Sequence, residues 1–356
     1  MMKKLLEPAT FGALNLRNRV VMAPMTRNRA TAASVPTAVM AEYYAQRAGA
    51  GLIVVEGTSP APEGVSYIRM PGIWSDEQVD AWGKVNQAIK KNEGLAVLQL
   101  MHGGRISSVH NKPYSGVRTV APSAVLAAGE VWTDAAGLQQ FDMPEALSLD
   151  EVKQTVDQYG RAAKNAIAAG FAGVEFHCTS GYLPMQFIGV NSNLRQDSYG
   201  GDLQGRLRFP VECMLAMADA IGAERVGLRI CPGNPFNDIV DPDPIATYTH
   251  LLKSIAHLPW AYLHIMKSPL PDVDAFKLAK DHFKGAIILN DGFTPESAED
   301  ALISGLGDAV SFARSFIGNP DLVSRIQSHQ PLAKFDRKTL YTDGAQGYSD
   351  YPVFSG

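Results

Sequence analysis

The segment HCTSGYL, residues 177–183, follows a short apolar run and brings several chemically competent side chains together. An imidazole and hydroxyl groups form hydrogen bonds, and a tyrosine can also supply a proton. Because side chains alternate along a strand, Glu175, His177 and Thr179 share one face. A satisfied core histidine is the ordinary alternative for His177, but its place at a strand end beside Tyr182 favours a substrate site.

Eight short apolar runs of this kind alternate with segments that have helical periodicity. Their bounds are 19–25, 51–57, 96–102, 173–179, 226–232, 262–266, 285–291 and 309–315. Alternating strands and helices predict a parallel sheet, and eight such units favour a closed barrel. A doubly wound sheet is the alternative, but no GxGxxG motif opens the first unit. We therefore expect an α/β protein with a single (β/α)8 TIM barrel.

One long stretch interrupts the alternation. Residues 103–148 follow the third strand, are rich in Gly, Pro and Ser, and predict a long, irregular loop excursion. Loops of this length inside a compact domain usually have a function. Because loops that follow barrel strands emerge on the catalytic face, we expect this one to form a wall of the pocket. No linker marks a second domain, so residues 1–356 are expected to form one domain.

The composition excludes several classes of function. The formal net charge is −4 and no Lys/Arg-rich run appears, so we expect no nucleic-acid partner. No apolar stretch approaches a membrane span, and we expect no membrane partner. Three cysteines without CxxC spacing, and a start without a signal-peptide pattern, predict a cytoplasmic protein. We expect Cys178 to be buried and unreactive, and no metal site, because no residue set has ligand spacing.

The ends of the seventh and eighth strands carry the pattern of a phosphate site. Barrel enzymes frequently bind phosphate there, through backbone N–H groups and a helix N-terminus. The seventh strand ends in Asn290, Asp291 and Gly292, and the eighth ends in Ala313 and Arg314. A guanidinium can hold a phosphate through two parallel hydrogen bonds. A surface salt bridge is the alternative interpretation of Arg314.

The chain contains several long, specific motifs. They are VMAPMTR (21–27), MAEYYAQRAGAGLIVVEGT (40–58), QLMHGGR (99–105), VAPSA (120–124), NSNLRQDSYGGDLQGRLRF (191–209), LRICP (228–232), DGFTPESAEDAL (291–302), FARSFIGNPDL (312–322) and GYSDYP (347–352). These motifs resemble those of the old yellow enzyme family, the FMN-dependent ene reductases. The resemblance extends from about residue 7 to the C-terminus. It implies a single FMN-binding TIM-barrel domain that acts on a small-molecule substrate, as a monomer or homodimer.

The resemblance implies non-covalently bound FMN, with NADPH or NADH as the hydride donor. The positions that it assigns to FMN are Ala23, Pro24, Thr26, Gly57, Gln99, Arg229, Gly292, Ala313 and Arg314. Thr26 would donate a hydrogen bond to the flavin ring, and Gly292, Ala313 and Arg314 would hold the phosphate. Arg229 would lie where the reduced flavin collects negative charge, which a fixed cation stabilises.

The opening segment also matches the family's substrate motif. The resemblance implies that His177 and the third residue after it donate hydrogen bonds to a substrate carbonyl, and that Tyr182 supplies a proton. That third residue is Ser180, where the family has Asn or His, so one donor is shorter. Met101 stands where relatives often carry Trp, which widens the substrate face. Tyr341 would flank the same pocket.

These residues imply hydride transfer from NAD(P)H through flavin N5 to the Cβ atom of an α,β-unsaturated carbonyl compound, with Tyr182 as proton donor. Because Ser180 and Met101 depart from the family pattern, alternatives stay open. One is a flavin-dependent isomerase or nitro-compound reductase on the same scaffold. Another is a flavin-binding protein that has lost ene-reductase activity.

Overall fold

The computed structural model describes residues 2–354, and eight parallel strands form a closed barrel within them. The strands are β1 (Val20–Met22), β2 (Leu52–Thr58), β3 (Ala96–Leu100), β4 (Val174–His177), β5 (Val226–Ile230), β6 (Tyr262–Met266), β7 (Ala286–Asn290) and β8 (Ala309–Phe312). Each strand pairs with its neighbour in the chain, and β8 pairs with β1. The predicted (β/α)8 TIM barrel is confirmed. Residues 1, 355 and 356 of the expected domain lie outside the described residues.

The barrel strands are separated by helices that begin at polar capping residues. The helices are α1 (Ala38–Gln46), α2 (Asp76–Lys91), α3 (Leu149–Ala168), α4 (Leu183–Ile188), α5 (Leu203–Ile221), α6 (Pro244–Ile255), α7 (Ala275–His282), α8 (Pro295–Ile303), α9 (Arg314–Gly318) and α10 (Leu322–Gln327). Ser75 and Ser148 form capping boxes at α2 and α3. A side-chain oxygen that accepts from a free N–H of the first turn stabilises such a helix start.

The inner face of the barrel changes from apolar to polar along its axis. Near the N-terminal ends of the strands, Val97 and Ile288 pack in one buried cluster with the apolar side chains of the N-terminal hairpin, residues 9–16. Two residues further along the same strands lie Gln99 and Asn290. Because the side-chain period of a strand is two, these polar residues share the inner face with the apolar ones. The polar end is therefore the C-terminal end of the barrel.

The segment between β3 and α3 contains regular structure, so a long loop excursion is not confirmed. Glu130–Thr133 and Gly137–Gln140 form an antiparallel pair, and Val120–Ala121 pairs in parallel with Glu145–Ala146. The strands are only two to four residues long, which explains why composition alone suggested an irregular stretch. Val131 of this segment packs in a cluster at the C-terminal end of the barrel.

Two buried arginines hold a C-terminal strap, residues 335–349, against the barrel. Arg27 donates to the carbonyl oxygens of Leu340 (3.0 Å) and Gly347 (2.7 Å). Arg29 donates to the carbonyl oxygens of Thr339 (2.9 Å) and Leu340 (2.8 Å). Charged donors make stronger hydrogen bonds than neutral ones, so the strap is fixed although much of it is exposed.

Of the helices within residues 2–354, none is long and apolar enough to cross a membrane. The longest is α3, and its exposed face is polar: Lys153, Lys164 and other charged side chains alternate with the buried positions. This is the pattern of a helix that packs one face on a barrel.

Candidate active site

A buried carboxylate organises the polar end of the barrel. Glu175 of β4 accepts hydrogen bonds from Gln99 Nε2 (2.8 Å) and the Tyr262 hydroxyl (3.1 Å), and its Oε2 lies 2.8 Å from His264 Nδ1. Burial raises the pKa of Glu175, but the interaction with His264, the positive charge of Arg229 and the hydrogen bond from Gln99 outweigh burial and hold this pKa below the ordinary value. Glu175 is therefore ionised inside the barrel.

Arg229 supplies the compensating charge. Its guanidinium donates to Asn290 Oδ1 (2.9 Å) and lies 2.9 and 2.6 Å from the two ring nitrogens of His264. Burial, together with the nearby Arg229, lowers the pKa of His264 to about 4, so this ring is neutral and bridges the two charges. A buried ion pair is tolerated only when both charges have partners, and here both do.

His177 lies at the end of β4, opposite Arg229 in the strand pairing. It is 6% exposed, and its Nδ1 atom has no hydrogen-bond partner within residues 2–354. Burial, with Arg229 nearby, lowers the pKa of His177 to about 3. A neutral imidazole carries one N–H donor. Because buried polar atoms are normally paired, the unpartnered Nδ1 indicates that a ligand belongs here.

The next residues bring a phenol to the same place. Tyr182 lies 8% exposed, with its ring centroid 5.2 Å from that of His177. Its hydroxyl oxygen is 2.8 Å from that of Tyr67. Ser180 adopts a left-handed φ of 58°, and its carbonyl accepts a hydrogen bond from Asn237 (2.8 Å). The structure thus brings His177 and Tyr182 together and fixes the backbone of Ser180 between them.

A cavity of about 1320 Å³ opens above these strand ends. Five of the residues predicted for the site line it, and they are Thr26, Tyr182, Ala313, Arg314 and Tyr341. Trp132 and Phe236 line it as well, and each, like Tyr341, is 58% exposed. Three aromatic side chains from separate segments therefore form an apolar rim. Trp132 belongs to the segment after β3, which places that segment at the cavity as expected.

The other predicted residues lie around or beneath this cavity without lining it. Ala23 is buried where β1 leaves the sheet, and its N–H donates to the carbonyl of Phe312 (3.1 Å). Pro24 follows it and is half-buried. Met101 is buried in one cluster with Tyr182. A Cβ atom on Gly57 would lie 2.7 Å from Met101 Sδ, so a larger residue here would displace the Met101 side chain.

Two of the predicted phosphate residues, Ala313 and Arg314, line an exposed, basic corner of the cavity, whereas Gly292 does not line it. Gly292 has a φ of 80° and open space beside it. Arg314 is exposed, and none of the salt bridges among residues 2–354 involves it. With Lys334 and Arg337 it also lines an adjoining cavity of about 380 Å³. Asp291 is exposed. The salt-bridge alternative for Arg314 has no support in this part of the chain.

Sequence reasoning missed several residues of the site. Tyr67, Asn237, Phe236 and Trp132 line the cavity, and all of them lie in segments that join a strand to the next helix. Their place after a barrel strand was the one available signal. Cys178 was expected to be unreactive: it is buried and free, and burial raises its pKa to about 12.

Comparison with known proteins identifies the family of the chain. The model of the NADH:flavin oxidoreductase / NADH oxidase family matches residues 4–333. A probable flavin mononucleotide-dependent alkene reductase of Leishmania infantum is 41% identical over 98% of this chain and 97% of its own. The chain belongs to the NADH:flavin oxidoreductase / NADH oxidase family, and it is an FMN-dependent oxidoreductase of the old yellow enzyme type.

Solved structures give the same result. The old yellow enzyme homologue from Zymomonas mobilis has a TM-score of 0.94 and 40% identity, and the match covers 99% of this chain and all of that one (100%). Morphinone reductase in complex with tetrahydroNAD also has a TM-score of 0.94, at 38% identity over 99% and 98% of the two chains. The expected family, fold and FMN cofactor are therefore confirmed.

The residues present fit FMN. Pockets that bind one drug-sized ligand measure roughly 300–1,000 Å³, so the cavity of about 1320 Å³ has room for a cofactor and a second molecule. Arg314 is a cation without a carboxylate partner at the corner where a phosphate would lie, and the open space at Gly292 allows close approach of an anion to the backbone. The unpartnered Nδ1 of His177 is buried, and its ring lies beside Tyr182, which lines the cavity.

The buried neutral histidines predict acid sensitivity. Burial lowers the pKa of His102 and His177 to about 3 and that of His264 to about 4, below the ordinary value of 6.5. A base whose folded pKa is depressed gives stability that is present above pH 6.5 and is lost as the pH falls. We expect a loss of about 2 kcal/mol per histidine between pH 7.5 and pH 5 in urea unfolding.

The control pair uses two histidines of opposite exposure. His102→Gln should reduce the stability difference between the two pH values, whereas His250→Gln, at an exposed helix position, should leave it unchanged. Equal urea midpoints for the unsubstituted protein at pH 7.5 and pH 5 would contradict this account.

Proposed function

We propose that this protein is an NAD(P)H-dependent ene reductase that acts on α,β-unsaturated carbonyl compounds. The observation that carries the proposal is the pair of His177, with a buried unpartnered nitrogen, and Tyr182, at the cavity of an FMN-dependent barrel. When bound, FMN supplies hydride transfer, accepting hydride from NADPH or NADH and passing it from N5 to Cβ of the substrate. The residues of the chain supply orientation, charge stabilisation and a proton.

His177 is proposed to bind the substrate carbonyl oxygen. Its imidazole is neutral, so it donates one hydrogen bond to an oxygen that gains negative charge as hydride arrives at Cβ. Burial keeps this donor at 6% exposure and excludes competing water. Ser180 is the proposed second donor, because its side chain follows His177 on the same loop.

Tyr182 is proposed to protonate Cα. Burial raises the pKa of Tyr182 well above its ordinary value, so the phenol keeps its proton until a strongly basic carbon forms beside it. Met101 packs in the same cluster and supports the tyrosine ring. Tyr341, on the strap, contributes apolar surface for the rest of the substrate.

The residues proposed to bind the flavin lie at or just after the C-terminal ends of the barrel strands. Arg314, Ala313 and Gly292 would hold the phosphate. Thr26 would donate to the ring from the cavity wall, where Ala23, Pro24 and Gly57 leave little side-chain volume. Gln99 gives one N–H to Glu175, which leaves its carbonyl oxygen and second N–H for the pyrimidine edge. Arg229 would face the charge of the reduced ring, held there by Asn290 and the compensating Glu175.

The remaining proposals concern the location of the protein, its domain organisation and its oligomeric state. Cys178, Cys213 and Cys231 are free and buried, which fits a reducing, cytoplasmic location. One closed barrel fits a single domain over residues 1–356, working as a monomer or homodimer. Isomerase or nitro-compound reductase activity, and flavin binding without turnover, are the alternatives that the experiments below separate.

The first experiment tests turnover and the proton donor together. Oxidised protein is mixed anaerobically with NADPH, and the reduced form is then mixed with 2-cyclohexenone in a stopped-flow instrument. We expect both steps to proceed, and Tyr182→Phe to slow only the second by about 10²–10⁴-fold, because the phenol is needed only when Cα receives its proton. Equal slowing of both steps would argue against this role. Reduction by NADPH without the second step would favour the isomerase or nitro-compound reductase alternative, and the absence of both steps would favour flavin binding without turnover.

The second experiment tests the cofactor site. The purified protein should release FMN, and no FAD, on heat denaturation, because one basic corner offers one phosphate site. Arg314→Ala should weaken FMN binding by about 10- to 100-fold, since hydrogen bonds to charged groups contribute about 1.5–3 kcal/mol. Equilibrium dialysis measures the affinity. Arg208→Ala, an arginine on α5 away from the cavity, is the control; unchanged FMN affinity of Arg314→Ala would exclude the proposed phosphate role.

The third experiment tests the departure at Ser180. Asn carries its donor further from the backbone than Ser, and it also tolerates the left-handed φ of 58° better than most residues. We expect Ser180→Asn to raise turnover of simple enones by up to about 10²-fold, because a placed second donor stabilises the oxyanion. Ser180→Ala is the matched control. If Ser180→Ala slows turnover and Ser180→Asn does not raise it, the serine hydroxyl is already a competent donor.

A further inference from the structure

The hydroxyl of Tyr182 is paired with another phenol. Within residues 2–354 its hydrogen-bond partner is Tyr67, at an oxygen–oxygen distance of 2.8 Å. The two rings meet edge to face, with centroids 6.4 Å apart and planes at 87°. Tyr182 is buried, whereas Tyr67 is only half-buried, and both line the cavity. Tyr67 therefore lies between the proposed proton donor and the more open part of the cavity.

Tyr67 is held in place by the segment that follows β3. Lys112 donates to the carbonyl oxygens of Glu63 (2.7 Å) and Val65 (2.8 Å), on the loop that carries Tyr67. Asn111 donates to the carbonyl of Ser66 (3.1 Å). Three side-chain hydrogen bonds to the carbonyls of one short segment fix its backbone. The backbone that leads into Tyr67 is therefore held in place.

The direction of the hydrogen bond depends on the state of Tyr182. When the Tyr182 hydroxyl donates its proton towards the substrate, the hydrogen bond between the two phenols must be donated by Tyr67 and accepted by Tyr182. Burial raises the pKa of both phenols, so both carry protons near neutral pH. A hydrogen bond from Tyr67 is stronger when the accepting oxygen is charged. It therefore stabilises Tyr182 most at the moment when Tyr182 has given its proton away.

We infer that Tyr67 is a positioning residue and proton relay for Tyr182, an inference that rests on the proposed function. The O–H bond of Tyr182 breaks as the Cα–H bond forms, which leaves a negative charge on the Tyr182 oxygen. The proton of Tyr67 then moves to that oxygen, and Tyr67 regains a proton from water in the cavity. No electron changes hands in the relay, and one proton passes from water to the product.

Tyr67→Phe tests this with little disturbance, because it keeps the ring and removes only the hydroxyl. We expect the step with 2-cyclohexenone to slow by about 10- to 100-fold, the size of one hydrogen bond to an ionised oxygen, and flavin reduction by NADPH to keep its rate. In a Tyr182→Phe background, Tyr67→Phe should have no further effect on this step, because the oxygen that it serves is gone. Tyr114→Phe, an exposed tyrosine, is the control.

A second variant separates the relay from a purely structural role. Incorporation of 3-fluorotyrosine at position 67 preserves size and hydrogen bonding but makes this phenol more acidic. The alkaline limb of the pH profile of the enone step should then move to lower pH, since Tyr67 must be protonated to donate. An unmoved pH profile, or equal slowing by Tyr67→Phe with and without the Tyr182 hydroxyl, overturns the relay.

The two proposals fail differently. If Tyr182→Phe carries out the enone step at a normal rate, Tyr182 is not the proton donor, and the relay through Tyr67 is refuted as well. A slow Tyr182→Phe together with an unaffected Tyr67→Phe leaves the proposed function intact and overturns the relay alone. Both the proposed function and the relay are supported if Tyr67→Phe slows the enone step and has no further effect when Tyr182→Phe is also present.

Discussion

The buried charge pair of Glu175 and Arg229 is the constraint on which the site depends. Neither charge is stable inside the barrel alone, since an uncompensated buried charge costs about 3–5 kcal/mol. Glu175 binds Gln99 from β3, and Arg229 on β5 binds Asn290 from β7, while His264 of β6 contacts both charges. Hydrogen bonds therefore connect five consecutive strands near the end of β4, where His177 lies. We call these residues the polar layer, and it positions the residues proposed to bind the flavin and the substrate.

The sequence was sufficient for those parts of the fold that follow from local periodicity. Eight apolar runs placed the strands, and alternation along β4 put Glu175 and His177 on the inner face. Contacts between distant segments could not be predicted in this way. Tyr67 reaches Tyr182 because Lys112 holds its loop, and these residues are far apart in the chain. The strands within residues 103–148 were missed because they are two to four residues long and lack the continuous apolar runs that marked the barrel strands.

Ser180 shows how backbone conformation and side-chain chemistry are coupled at one position. The chain must turn sharply between His177 and Tyr182 to bring their two rings together, and it does so with left-handed φ values at Ser180 and Gly181. Asn237 holds this turn through the carbonyl of Ser180 and leaves the serine hydroxyl free. The turn is therefore maintained by the backbone, and the residue type at position 180 can change the number and reach of the donors without changing the loop.

The polar layer is buried and linked by hydrogen bonds, whereas the aromatic rim is exposed, and this difference has an evolutionary consequence. Trp132, Phe236 and Tyr341 come from three separate segments, expose more than half of their surface, and belong to no buried network. Substitutions at such positions usually change stability by less than about 0.5 kcal/mol. Single substitutions at the rim can therefore change which molecules bind without loss of stability. Substitutions in the layer of Glu175 and Arg229 beneath it would leave a buried charge without a partner, so that layer changes little. Diversification of a lineage on this scaffold would begin at the rim.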